Sequence, residues 1–318
     1  MSELTTSPAQ SSADAATAEH WAQWQQRRLA NPQRWAEWSE HPTILALLQE
    51  RLFGDPAASP FAHLLRHFPF FAQAHVLSLC CGDGSTELAL VRSGVFHSMV
   101  GIDLTAERVH AAVAARGDLA PQLNYAVGDV NLGDFGTACF DVVFAKASLH
   151  HIEQLETLAA GIARCLKPGG HLVTLDFFGP SRFQWTDAQL NHANAFLTQE
   201  VPAVLRRRDD GGFYDRAARP TVEEVVAVDP SEAIRSSELY AFLQQNFEFD
   251  LDIAIGGTLL QLIFDGSIVN NFNPDDPQIQ DIIRRAVALE QDLLAEGKLP
   301  ADFRLIVARP RTTAVAVA

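Results

Sequence analysis

The chain has 318 residues, 47% hydrophobic and 20% charged, enough to bury a real core in one large domain or two small ones. Its 24 basic and 39 acidic side chains leave a formal net charge of −15, a surface that repels phosphate backbones and argues against a nucleic-acid partner. Four cysteines (Cys80, Cys81, Cys139, Cys165) make neither a Cys-x-x-Cys pair nor a spaced zinc set, and neither a leader pattern nor a run of about 18 apolar residues is present. A cytoplasmic protein without a membrane partner is therefore expected.

Residues 1–19 are rich in Ser, Thr, Ala and Gln without periodicity, and disorder is expected there. Residues 20–70 read as an N-terminal helical cap. Trp21 and Trp24, and again Trp35 and Trp38, are three apart, so each pair shares a helix face that either packs on the main domain or roofs a ligand pocket. From residue 71 to 180 strand and helix signals alternate. Apolar runs at His75–Cys80, Ser98–Ile102, Leu123–Val127, Asp141–Ala145 and His171–Phe177 are strands. Thr86–Arg92, a stretch capped by Thr105, and Leu155–Leu166 are helices. This rhythm predicts an α/β fold, a mostly parallel sheet with helices on both faces.

After Pro180 the rhythm breaks. Residues 181–246 read as a helical lid or substrate-binding insertion, with one or two helices over Trp185–Arg208 and a loop over Asp209–Pro220. The basic run Arg206-Arg207-Arg208, followed at once by two aspartates, reads as a solvated helix end. Asp229-Pro230-Ser231-Glu232 reads as a helix start, with Asp as cap, Pro in the first turn and Glu232 closing a capping box. Residues 247–310 hold two closing strands, Phe247–Ile255 and Phe303–Ala308, around helical segments at Thr258–Val269 and Gln278–Glu296. The tail after Pro310 is expected to fray.

The chemistry concentrates at Val76-Leu77-Ser78-Leu79-Cys80-Cys81-Gly82-Asp83-Gly84-Ser85, a strand entering a glycine turn before a helix. Glycines let the backbone approach a ligand, and the helix start offers free N–H groups. Dinucleotides and S-adenosylmethionine (SAM) are both held by such turns. A dinucleotide fingerprint needs a third glycine where Glu87 stands, and Asp83 would repel a pyrophosphate. Asp103 closes the second strand, placed to accept both ribose hydroxyls, and Asp129 closes the third, placed to accept from an adenine amino group.

With these residues the chain resembles the Rossmann-like (class I) SAM-dependent methyltransferases of small-molecule type. Cys80, Gly82 and Gly84 fall on that family's turn, Asp103 on its ribose acid and Asp129 on its adenine acid. Phe140–Ala145 falls on its fourth strand, and Leu166–Leu172 on the entry to its fifth. The resemblance implies a seven-stranded Rossmann-like sheet carrying N-terminal helices and helical lid insertions, with SAM as cofactor and S-adenosylhomocysteine as its product. It implies cofactor contacts from Ser78, Cys80, Cys81, Gly82, Gly84, Asp103, Leu104, Asp129, Val130, Lys146 and Ala147. Two departures stand out. Ser78 replaces a frequent acid, weakening a contact to the methionine amino group, and Cys80 replaces a frequent glycine.

The expected activity is methyl transfer to a small-molecule O, N or C acceptor by in-line displacement. His150 and His151, just past the fourth strand, are the candidate bases, and their other reading is that they only line the cofactor or pack the next helix. Asp176, Phe178, Arg182 and Trp185 are the candidate acceptor contacts, against a plain rim ion pair and aromatic cluster. No metal is expected, because no carboxylate is placed beside the histidines. The inserted helices build a lid or, alternatively, a homodimer interface. The rival functions are a non-catalytic SAM-binding scaffold, an aminopropyltransferase using decarboxylated SAM, and an NAD-dependent reductase, the last disfavoured by Glu87.

Overall fold

In the structure, a computed structural model that describes residues 12–311, the apolar runs become strands that glycine or acid residues terminate. They are β1 His75–Leu79, β2 Ser98–Asp103, β3 Leu123–Val127, β4 Phe140–Lys146, β5 Leu166–Phe177, β6 Phe247–Gly256 and β7 Phe303–Pro310. They form one seven-stranded sheet in the order β3-β2-β1-β4-β5-β7-β6. The first five are parallel, and β7 runs antiparallel between β5 and β6. The strand order reverses between β1 and β4, and sheets of this kind bind ligands outside the strand ends at that switch point.

Helices α1 Ser12–Ala30, α2 Pro42–Phe53 and α3 Pro60–His67 precede the sheet. Within it come α4 Ser85–Arg92, α5 Ala106–Ala115 and α6 Leu155–Cys165; after β5 come α7 Asp187–Glu200, α8 Val222–Val228, α9 Ser236–Asn246, α10 Leu260–Ile263 and α11 Pro277–Ala295. Strand alternation splits the sheet's apolar residues between two cores. Val76, Met99 and Phe144 pack with Phe71 and Leu90 on one face, while Leu77, Leu79 and Val143 pack with Leu158, Ile162 and Leu243 on the other. A third core lies mostly in the cap, where Trp38, Ile44, Phe196, Phe264 and Ile283 meet, and it reaches the sheet at Phe177 of β5. The cap is therefore assembled from three stretches of chain far apart in sequence. By contrast, Leu64 of α3 packs on the sheet, as does Leu243 of α9.

Several boundaries differ from the sequence reading. Helix α1 begins at Ser12, inside the stretch expected to be disordered, and residues 1–11 and 312–318 lie outside the described residues. The Trp-rich stretch is not one helix. Asn31–Glu37 breaks it, so Trp35 packs on His41 and Trp38 on Phe303 rather than side by side. No helix starts at Asp229. Its carboxylate instead accepts the Ser231 N–H (2.8 Å), closing a tight turn, and α9 starts only at Ser236. Thr258–Val269 holds only the short α10, and α8, capped by Thr221 with Glu224, was not foreseen. Among the described residues no helix is long and apolar enough to cross a membrane.

Candidate active site

At the switch point the ends of β1, β2, β3 and β4 open into a cavity of about 1250 Å³ roofed by the cap. Single small-molecule sites run to roughly 300–1,000 Å³, so this one has room for a cofactor and a second molecule. The turn after β1 forms its floor. Gly82 and Gly84 take φ of 57° and 73°, and a Cβ on Gly84 would lie 2.6 Å from the Tyr125 hydroxyl, so the turn admits no side chain there. Cys80 also takes a left-handed φ, 51°, a conformation costing a residue with a Cβ about 1–2 kcal/mol. Burial pushes the thiols of Cys80 and Cys81 up, which disfavours the reactive thiolate.

Most of the cofactor residues read from the sequence meet here. Cys80, Cys81, Asp103, Leu104, Asp129 and Val130 line the cavity, with Lys146 and Ala147 beside them. Asp103 is 5% exposed; its carboxylate accepts the N–H groups of Gly82 (2.9 Å) and Thr105 (2.8 Å), which locks the second strand's end to the glycine turn. Asp129 uses Oδ1 on Asn131, and its Oδ2 makes no hydrogen bond among the described residues.

Ser78 does not reach the cavity. Its hydroxyl donates to Glu87 Oε1 at 2.6 Å, and Glu87 does line the cavity, with Oε2 buried and unpaired. Burial pushes the Glu87 carboxyl up to about 7, against the Ser78 hydrogen bond that opposes the shift. A carboxylate from α4 thus stands on the cavity's edge beside the position where β1 carries Ser78. Asp103 and Asp129 offer acceptors suited to the ribose and adenine of SAM, and a small turn of the Glu87 side chain would bring its unpaired, buried oxygen to the ammonium end. The residues present fit the cofactor. The departure at Ser78 was the signal in the sequence; that Glu87 packs against it at the cavity was not legible.

Past β4, Ala147 takes φ 48° and turns the chain into a 3-10 turn, Leu149–His151. Asp176, at the end of β5, holds that turn. Its carboxylate accepts the N–H groups of Ser148 (2.8 Å), Leu149 (2.7 Å) and His150 (3.3 Å), and His150 Nδ1–H at 2.6 Å. It is 1% exposed and does not line the cavity, which corrects the expectation that it contacts the acceptor. Two further corrections follow. Phe178 turns into the sheet core against Tyr240, and Arg182 donates to the carbonyls of Pro230 (2.8 Å) and Glu232 (2.9 Å). It is Phe177, Phe183, Trp185 and Phe303 that wall the cavity, with Trp38 above.

His150 and His151 both line the cavity. The other nitrogen of His150 faces Glu232 Oε1 at 3.5 Å. Burial would depress His150, but the carboxylates of Asp176 and Glu232 outweigh it and raise it to about 9, so at neutral pH the ring holds a proton. His151 behaves oppositely. Burial, and then the charges of His150 and Arg108, push it well below its usual value. Burial raises Glu232. The cap closes over this group through α1. Trp21 Nε1–H donates to Asp229 (3.1 Å), and the Arg108 guanidinium lies 4.9 Å from the Trp21 ring and 5.7 Å from that of Trp24.

Comparison with known proteins agrees with this geometry. Residues 77–174 match a family described as a methyltransferase domain. An uncharacterized methyltransferase of Synechocystis sp. is 34% identical over 151 residues, 47% of this chain and 68% of the relative. Phosphoethanolamine N-methyltransferase 1 of Triticum aestivum is 22% identical over 71% of this chain, which spans only 46% of that protein. The crystal structure of geranyl diphosphate C-methyltransferase from Streptomyces coelicolor A3(2), in complex with Mg2+, geranyl diphosphate and S-adenosylhomocysteine, shares the fold. It has a TM-score of 0.52 at 14% identity, covering 96% of this chain and 100% of that one. The chain belongs to the class I, SAM-dependent methyltransferases, and SAM is its cofactor.

Proposed function

We propose that the chain transfers the methyl group of SAM to a small-molecule acceptor held between the strand ends and the helical cap, by in-line displacement at the methyl carbon. The observation that carries this reading is the one continuous cavity, running from the acids of the cofactor side to the aromatic wall of Phe177, Trp185 and Phe303 beneath the helical cap. Such a chamber suits a compact acceptor better than a duplex or a folded protein. The small substrates named for the wheat and Streptomyces relatives support it.

When bound, SAM supplies a methyl group on a sulfonium, already a good leaving group. The protein's work is then placement and exclusion of water, which can lower a barrier by ~7–11 kcal/mol. In this reading Asp103 holds the ribose, Asp129 the adenine amino group and Glu87 the amino-acid ammonium. Leu104, Val130, Lys146 and Ala147 line the cofactor's side, and the aromatic wall fixes the acceptor. His150 faces the acceptor with its orientation fixed by Asp176. To serve as a base it must first pass its proton to Glu232, which stands 3.5 Å away.

The test uses methyl-labelled SAM with a mixed extract of metabolites and proteins. Label is expected in the low-molecular-mass fraction; label confined to protein or nucleic acid overturns the proposal. With an acceptor in hand, His150→Ala is expected to leave SAM affinity unchanged and to lower kcat by ~10²–10⁴-fold. If turnover survives both His150→Ala and His151→Ala, neither ring moves the proton and placement alone drives the reaction. A Glu87→Gln variant should bind SAM about tenfold more weakly by calorimetry, the loss of one charge-assisted bond.

A further inference from the structure

We propose that His150, His151 and Glu232 form a binding site for a divalent transition metal ion, opening on the acceptor side of the cavity. One donor atom from each of the three lies within 4.8 Å of the others, and all three line the cavity. The sequence reading set a metal aside because no carboxylate stood near the histidines. Glu232 is that carboxylate, delivered by the turn after α8 rather than by a neighbour in sequence.

Proximity alone would not carry this; the orientation of the rings does. His150 Nδ1 faces Asp176 Oδ1 at 2.6 Å, and a carboxylate can only accept, so Nδ1 carries the proton. His151 Nδ1 lies 3.0 Å from Ser231 Oγ, whose own proton is committed to Asp229 Oδ1 at 2.8 Å, so this Nδ1 also donates. Each ring is thereby fixed through Nδ1 and presents Nε2. Metal-ligating histidines are held this way, with the far nitrogen bonded to a carboxylate or hydroxyl that sets tautomer and direction. Two adjacent histidines packed only as filler would not both need a carboxylate-backed donor bond on the same nitrogen.

The donor set selects the ion. Two imidazoles and one carboxylate suit Zn2+, Fe2+ or Co2+ rather than Mg2+, and three protein ligands leave one position open. Tetrahedral bonds of about 2.0–2.2 Å set donors roughly 3.4 Å apart, and His150 Nε2 and Glu232 Oε1 already stand 3.5 Å apart. In the metal-free protein that gap holds the His150 Nε2 proton; on binding, the proton leaves to solvent and the ion takes its place. The open position faces the cavity, where the ion would hold an oxygen of the acceptor. That last consequence rests on the methyl-transfer reading; the metal site itself does not, and with the ion bound His150 Nε2 is a ligand and no longer a base.

The experiment is a titration of the full chain, stripped with chelator, with Co2+ followed by visible absorption and with Zn2+ followed by calorimetry. One equivalent is expected to bind at micromolar or tighter Kd, with the absorption of a four- or five-coordinate ion. Glu232→Gln and His151→Ala should each weaken binding by at least tenfold, and Ser231→Ala by a smaller factor through loss of ring orientation, all with unchanged SAM affinity and circular dichroism. No saturable binding by the parent chain, or parental affinity in both Glu232→Gln and His151→Ala, overturns the proposal. A chain that binds metal but labels no small molecule keeps the site and overturns only the acceptor reading.

Discussion

An Asp103→Ala variant is expected to bind SAM at least about tenfold more weakly than the parent and to keep its fold. The carboxylate sits at the end of β2, 5% exposed, with one face on the cavity. Charge-assisted hydrogen bonds contribute roughly 1.5–3 kcal/mol, so losing one or both ribose hydroxyls costs at least an order of magnitude in Kd. The same carboxylate accepts the N–H groups of Gly82 and Thr105, so part of the loss comes from a slackened glycine turn. Asp103→Asn separates the two effects. It keeps an oxygen for a backbone N–H but removes the charge, and its Kd should fall between parent and Ala. Calorimetric titration with SAM and with S-adenosylhomocysteine reads both variants. Parental affinity in Asp103→Ala would remove the ribose assignment.

The strand-end residues proposed to hold the cofactor were legible because they are announced locally, whereas Glu87, inside α4, was not. A strand of five or six residues is bounded by what ends it, and Gly82, Asp103 and Asp129 stand at or just past those ends. The acceptor half was not, because its residues are placed by partners far away in sequence. The end of β5 shows this in a single step. Phe177 and Phe178 are adjacent, strand alternation sends one to the cavity and the other to the sheet core, and nothing in the two letters says which. Asp229 to Glu232 shows it again. The local pattern is that of a capped helix, yet Asp229 is drawn off by Trp21 and Ser231, and Glu232 is left facing His150. Arg182 was expected at the acceptor because it follows β5; instead its guanidinium holds that turn by two carbonyls. Tertiary contacts override local propensity where a segment is short and its partners are distant.

The same distance in sequence underlies the second large effect, an expected gain of stability in Asp302→Asn at pH 8. Asp302 precedes β7 and is 1% exposed. Its Oδ2 accepts from Gln189 (2.9 Å) and Gln261 (3.0 Å), while Oδ1 is buried without a partner. Burial, reinforced by the neighbouring Glu290, raises its carboxyl to about 8 against the hydrogen bonds that oppose the shift. The folded pKa lies above the unfolded 3.8, so the native state keeps a proton that the unfolded chain gives up. Stability from this group is therefore full below 3.8 and is lost as pH rises toward 8, with a slope of up to about 1.4 kcal/mol per pH unit. Asparagine has the shape of the protonated acid and does not titrate. The difference in unfolding free energy between variant and parent should thus be small at pH 4 and grow steadily in the variant's favour toward pH 8, read from urea curves at each pH. Taking the difference removes groups that do not act on Asp302, such as His151, which burial lowers; Glu290, which burial also raises, acts on Asp302 and contributes to the difference. Parallel profiles would mean that Asp302 is ionised in the folded protein. Gln261, which donates to Asp302, lines the cavity, so this buried acid also positions an amide at the cavity wall.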